Sequence, residues 1–128
     1  MTFAVLSATG MLGTGFLESS MRAGLEKGAR AIGCDAGSSD PGPYYLGTGS
    51  LSRSWAALKR DIDVILRFGA EAKVPVAIGS AINAGADAQL THAVRMIHEV
   101  SEERGLAPRL TVVHSELSRE WLLDAWRA

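Results

Sequence analysis

The feature that most constrains this chain is an alternation that runs along its whole length. Four short apolar runs, each closing on small residues, are separated by stretches with helical spacing. Phe3-Ala4-Val5-Leu6-Ser7 is the first run, and a continuous apolar run this short has the pattern of a strand buried on both faces. Leu17, Met21 and Leu25 then recur at helical spacing, and Gly28 supplies a left-handed stop. Ala31-Ile32-Gly33-Cys34 reads as a second strand that delivers Asp35 at its end. Ser52 is placed to cap a helix whose Trp55, Leu58, Ile62, Ile65, Leu66 and Gly69 form one stripe. Pro75-Val76-Ala77-Ile78-Gly79-Ser80-Ala81 is a third strand, with proline at its tolerant first position. A helix over 86–104 turns Leu90, Ala93, Val94 and Ile97 inward, and Gly105 and Pro108 end it. Leu110-Thr111-Val112-Val113-His114 is the fourth strand, and Ser118 opens a last helix carrying Trp121, Leu122 and Trp126.

Strand and helix alternating four times predict an α/β fold. The expectation is a three-layer, mostly parallel sheet of four strands or slightly more, with right-handed crossovers and helices on both faces, Rossmann-like or flavodoxin-like. The length, 128 residues, suits one domain over 1–128. The closing helix carries two tryptophans in its last eight residues, which points to a neighbour beyond it and to this domain being the N-terminal part of a longer protein.

Charge narrows the partners. Net charge is −1 with both signs scattered, so there is no basic stripe to displace counterions from nucleic acid. No apolar run approaches the ~20 residues of a membrane span, and Met1-Thr2-Phe3-Ala4-Val5 lacks the basic start of a signal peptide, so neither a membrane partner nor export is expected and the location is read as cytoplasmic. The single cysteine, Cys34, lies in an apolar strand, where burial raises a thiol pKa and leaves it inert.

In open parallel sheets ligands bind beyond the carboxyl ends of the strands, where helix N-termini offer free N–H groups. Every unusual segment of this chain falls on that edge. Strand one leads into Ser7-Ala8-Thr9-Gly10-Met11-Leu12-Gly13, strand three into Gly79-Ser80-Ala81-Ile82-Asn83-Ala84-Gly85, and strand four into His114-Ser115-Glu116. The turn Gly10-Met11-Leu12-Gly13-Thr14-Gly15 is either a tight turn or a cradle for a phosphate or carboxylate. Its glycines do not follow Gly-x-Gly-x-x-Gly and no Walker lysine follows, so NAD is disfavoured and the cofactor is left unknown. Ser7, Thr9, Gly10, Gly13, Gly79 and Ser80 are candidate ligand contacts.

The longest such segment runs from Asp35 to Gly49. It is too rich in Gly and Pro for regular structure, so it reads as an ordered loop on a rigid scaffold, the usual seat of function. Asp35 serves as a general base, binds a ribose or metal, or simply caps the following turn, and Asp40 is a second carboxylate beside it. Gly37, Ser38 and Ser39 would contact a ligand, while Tyr44 and Tyr45 supply a ring wall and phenol donors or else anchor the loop to the core. His114 is either a satisfied structural histidine or an acid/base group that reaches the Asp35 loop if the two strands lie close. No His, Cys, Asp or Glu spacing matches a metal site.

Two of these motifs, Ser7-Ala8-Thr9-Gly10-Met11-Leu12-Gly13 and Asp35-Ala36-Gly37-Ser38-Ser39-Asp40-Pro41-Gly42-Pro43-Tyr44-Tyr45-Leu46-Gly47, make the chain resemble the N-terminal domain of the acyclic terpene utilisation (AtuA) family. The resemblance implies a role in the breakdown of branched acyclic terpenes through acyl-CoA intermediates, with hydration or lyase chemistry as the step. Two functional readings follow. One is an enzyme domain binding a small-molecule anion or acyl-CoA, with Asp35 and then Asp40 or His114 in proton transfer. The other is a non-catalytic ligand-binding or docking module, in which the loop meets the remainder of a longer protein or a partner subunit; separately, the two exposed edges of such a sheet invite pairing into a homo-oligomer.

Overall fold

The computed structural model describes residues 3–35, 37 and 42–128. Its strands are β1 (Val5–Ser7), β2 (Ala31–Asp35) and β3 (Val76–Gly79), and its helices α1 (Glu18–Glu26), α2 (Gly42–Thr48), α3 (Trp55–Ala72), α4 (Asp87–Arg104) and α5 (Arg119–Arg127). A 3-10 turn spans Ser80–Ile82. The chain is therefore α/β with a parallel sheet of order β1-β2-β3. Ile32 stands opposite Leu6 on one side and Val76 on the other, and Asp35 opposite Gly79. No helix among the described residues is long and apolar enough to cross a membrane.

Sequence signals fix most of these boundaries. Gly28 has φ 93°, the left-handed stop expected after α1. The cap of α3 is Ser54 rather than Ser52: its hydroxyl accepts the Ala57 amide hydrogen at 3.3 Å. Ser118 caps α5 in the same way, accepting from Trp121 at 3.1 Å.

Three expectations need correction. Among the described residues the sheet has three strands, not four, because residues 110–114 run exposed with no backbone hydrogen bond to β3. The far end of that segment is held on α4 instead: His114 Nδ1 lies 2.9 Å from Asp87 Oδ1, and Glu116 Oε2 accepts the Asp87 amide hydrogen at 2.8 Å. Second, the helices do not cover both faces. A Cβ at Gly24 of α1 would strike Leu6, and one at Gly69 of α3 would strike Val76 and approach Ile32, so both helices rest on the same side of the sheet. The other side presents Val5, Ser7, Ala77 and Gly79, with Val5 59% exposed. The cause is the strand order: right-handed crossovers that all step in one direction place every helix on one face, and only a reversal of direction builds a third layer. Third, part of the stretch expected to be loop is the helix α2. Pro43 falls in its first turn, where the missing N–H had no partner to lose.

α3 is the centre of the core. Its Leu58, Ile62 and Ile65 are fully buried together with Leu12, Ile32, Met96 and Val100, so one helix packs on the sheet, on α4 and on the loop after β1. Ion pairs hold its outer side: Lys59 lies 3.1 Å from Glu99 and 2.6 Å from Glu103, Arg104 lies 2.6 Å from Asp63, and Arg67 reaches Glu18 of α1 at 2.9 Å.

Candidate functional site

The loop after β1 was a candidate anion cradle, and a carboxylate does occupy it. The occupant is Asp61 of α3. Its Oδ2 accepts the amide hydrogens of Gly13 at 2.7 Å and Gly15 at 3.0 Å, while Arg60 donates to Oδ1 through Nε at 3.0 Å and through a terminal nitrogen at 2.7 Å. Gly13 has φ 88°, a conformation that glycine adopts at no steric cost. Thr9 locks the same turn, its hydroxyl 3.2 Å from the Met11 carbonyl and 3.4 Å from the Thr14 hydroxyl. Ser7 and Gly10 are exposed on the rim. The cradle is thus filled by the chain itself, and its glycines serve a buried internal ion.

Asp35 ends β2 at the carboxyl edge, exposed, and its Oδ1 accepts the Gly37 amide hydrogen at 3.0 Å. Gly37 is buried: a Cβ there would collide with the Asn83 carbonyl oxygen and lie 2.6 Å from Ser80 Cβ. The turn it abuts is unusual, because Ser80, Ala81 and Ile82 all have positive φ (55°, 43° and 63°). Left-handed residues other than glycine cost roughly 1–2 kcal/mol each, and strain of that kind concentrates at functional positions. Asp35, Gly37, Gly79 and Ser80 are therefore brought together. Ser38, Ser39 and Asp40 lie outside the described residues.

Tyr44 and Tyr45 stack edge to face, ring centroids 5.1 Å apart. Tyr44 is 66% exposed and its neighbour Leu46 54%, so α2 shows an apolar outer side. What holds the segment is backbone. Gln89 Nε2 donates to the carbonyls of Tyr45 at 2.9 Å and Ser50 at 3.2 Å, and Asn83 Nδ2 to Ser50 at 3.2 Å. Gln89 Oε1 accepts the amide hydrogens of Ala84 and Ala86, both at 3.2 Å, which closes the start of α4.

A groove of about 830 Å³ lies along the outer edge of β3. Its lining includes Val76 and Ile78 of β3, Gly69 of α3, Val94 and Ile97 of α4, and Val112 of the segment that follows α4. Gly79 and Ser80 line its carboxyl end, whereas Ser7, Asp35 and Tyr44 are not lining residues. Lys73 and Arg109 also line it, and neither makes an ion pair among the described residues. His114 is paired with Asp87 at the start of α4. Burial, then the nearby charges of Asp35 and Asp61, pushes the Cys34 thiol up to about 12.

Asp61, Asn83 and Gln89 were missed as site-shaping residues. A signal existed: Asp61 stands three residues after Leu58 and four before Ile65, and Gln89 four before Ala93, so each interrupts an apolar stripe. A polar side chain on a buried face is retained only when its hydrogen bonds are met. The chain matches no family model, no curated protein and no solved structure.

Proposed function

We propose that this chain is a small-molecule binding domain that takes an acyl-CoA or branched carboxylate in the groove along β3. The observation that carries the reading is the groove's make-up: apolar lining contributed by α3, α4, β3 and residues 110–112, with two cations, Lys73 and Arg109, that make no ion pair among the described residues. Apolar pockets with a few convergent polar groups are the ordinary form of a ligand site. In this reading the cations meet a carboxylate or phosphate, and the acyl chain runs along β3 toward Ser80, beside Asp35. The resemblance to the acyclic terpene utilisation family supplies the substrate class and a hydratase or lyase role in terpenoid catabolism, with Asp35 as the proton-transfer group.

Titration of the chain with branched medium-chain carboxylates and their coenzyme A thioesters tests this. Binding that weakens at least about 10-fold in Lys73→Glu/Arg109→Glu supports it, a loss of about 1.4 kcal/mol. Absence of binding by every probe, or binding indifferent to both charges, overturns it. A second reading rests on Tyr44 and Leu46, whose exposure on α2 suits a docking surface. Tyr44→Ser/Leu46→Ser would then abolish association with a partner and leave ligand titrations unchanged.

A further inference from the structure

We propose that residues 110–113 form a conditional fourth strand, which swings across the groove to pair in parallel with the free edge of β3. Among the described residues β3 pairs with β2 on one side only, which leaves the peptide groups of its other edge, at Val76 and Ile78, without a strand partner there. An open edge of this kind is a template for another strand. The segment across from it has the composition of one, Leu110-Thr111-Val112-Val113, and the alternation too: Leu110 and Val112 are 37% and 38% exposed, Val113 77%. Val76 and Ile78 of β3 are half-buried on the matching side, so closure covers four apolar side chains at once.

Two tethers set the direction. The Leu106 amide donates to the Ser101 carbonyl at 2.8 Å, behind the left-handed Gly105, which fixes the near end to the C-terminus of α4. His114 and Glu116 fix the far end to Asp87 at the N-terminus of α4. The segment therefore runs back along α4 from its end to its start. α4 returns from the carboxyl edge of the sheet, so the segment runs in the same sense as β3, the direction that a β-α-β crossover requires. The strand and a groove ligand are alternative occupants of one edge. The inference does not depend on the ligand reading, since pairing is measured with no ligand present.

Parallel neighbours stand about 4.8 Å apart, within reach of a disulfide. The full chain carrying Ala77→Cys with Thr111→Cys, or Ala77→Cys with Val113→Cys, covers the two registers that keep Leu110 and Val112 on the inner side. Cys34 is buried and does not compete. One of the two pairs is expected to form an intrachain disulfide under mild oxidation, faster than a control pair of Ala77→Cys with Glu120→Cys. Oxidation should slow amide exchange over 76–79 and 110–113 by on the order of 10-fold. In the chain without added cysteines, Val113→Pro should speed exchange over 76–79, because in either register the Val113 N–H faces β3 and proline removes that ladder donor. Failure of both pairs to exceed the control, or exchange over 76–79 unaffected by Val113→Pro, overturns the proposal. A disulfide-linked dimer without the intrachain bond also overturns it, in favour of pairing between two copies.

Discussion

The Asp61 carboxylate accepts the Gly13 amide hydrogen at 2.7 Å across 48 residues of sequence. Asp61 is 1% exposed, and the same oxygen takes Gly15 while Arg60 holds its partner oxygen. Removing one member of a buried charged network typically costs about 3–5 kcal/mol. Asp61→Ala should therefore lower the unfolding free energy by about 3 kcal/mol in urea titrations, with Asp61→Asn costing less because it keeps one acceptor. A loss under about 0.5 kcal/mol for Asp61→Ala, the scale of an ordinary surface change, would show that the loop after β1 holds its form without the carboxylate.

Gln89 is fully buried and its amide makes four hydrogen bonds, one to Tyr45 of α2, one to Ser50 just after it and two to the start of α4. Gln89→Leu keeps the volume and strands the Ala84 and Ala86 amide hydrogens, at about 1–3 kcal/mol for each, while the Tyr45 carbonyl keeps the Gly49 amide and the Ser50 carbonyl keeps Asn83. The expected result is global destabilisation accompanied by faster proteolysis within 42–50. Cleavage no faster than in the parent chain would mean that Gln89 is not what anchors Tyr45 and Ser50.

The Cys34 thiol, held at about 12 against an ordinary 9.0, should resist iodoacetamide at pH 8 in the native chain and react at once in urea. The unfolded thiol ionises more readily than the folded one. The stabilisation that this confers is complete below pH 9 and is lost as pH rises through the interval toward about 12, so Cys34→Ala should flatten the alkaline fall in stability. Native-state alkylation at the rate of a free thiol would contradict the buried placement.

At Asp63 burial raises the carboxyl, but the hydrogen bonds and charges of Arg104 and Arg67 outweigh it and hold the group below its ordinary value of 3.8. The folded form gives up its proton more readily than the unfolded form. Its contribution is therefore present above the ordinary carboxylate range and lost as pH falls through and below it. Asp63→Asn should be less stable than the parent at pH 7, with the difference closing toward pH 3. A gap that stayed constant over that interval would assign the effect to packing rather than to charge.

Periodicity alone made β1, β2, β3, α1, α3, α4 and α5 legible, since each needs only its own residues and a local stop such as Gly28 or a cap such as Ser118. Whether 110–114 pairs was not legible. An apolar β-branched run states a preference, but pairing depends on where His114 and Glu116 are tied, and Asp87 is 27 residues away from His114. The layer count was hidden for the same reason, because strand order is a relation between distant segments. The carboxyl-edge cluster of Asp35, Gly37, Gly79 and Ser80 followed from strand ends, whereas the groove needed the three-dimensional gap beside β3. α2 was misread because Gly and Pro were counted by composition rather than by position: Pro43 in a first helical turn favours the helix.

The one-way order of the strands also bears on how the molecule is made. β1 finds its partner in β2, and β2 in β3, each the next strand along the chain. A polypeptide emerging from the ribosome as far as Ala72 already carries two paired strands and the two helices that cover them, and each later segment adds to a surface that already exists. No early strand waits for a late one to be inserted beside it, so the sheet can assemble in the order of synthesis, and short-range pairing of this kind favours rapid folding.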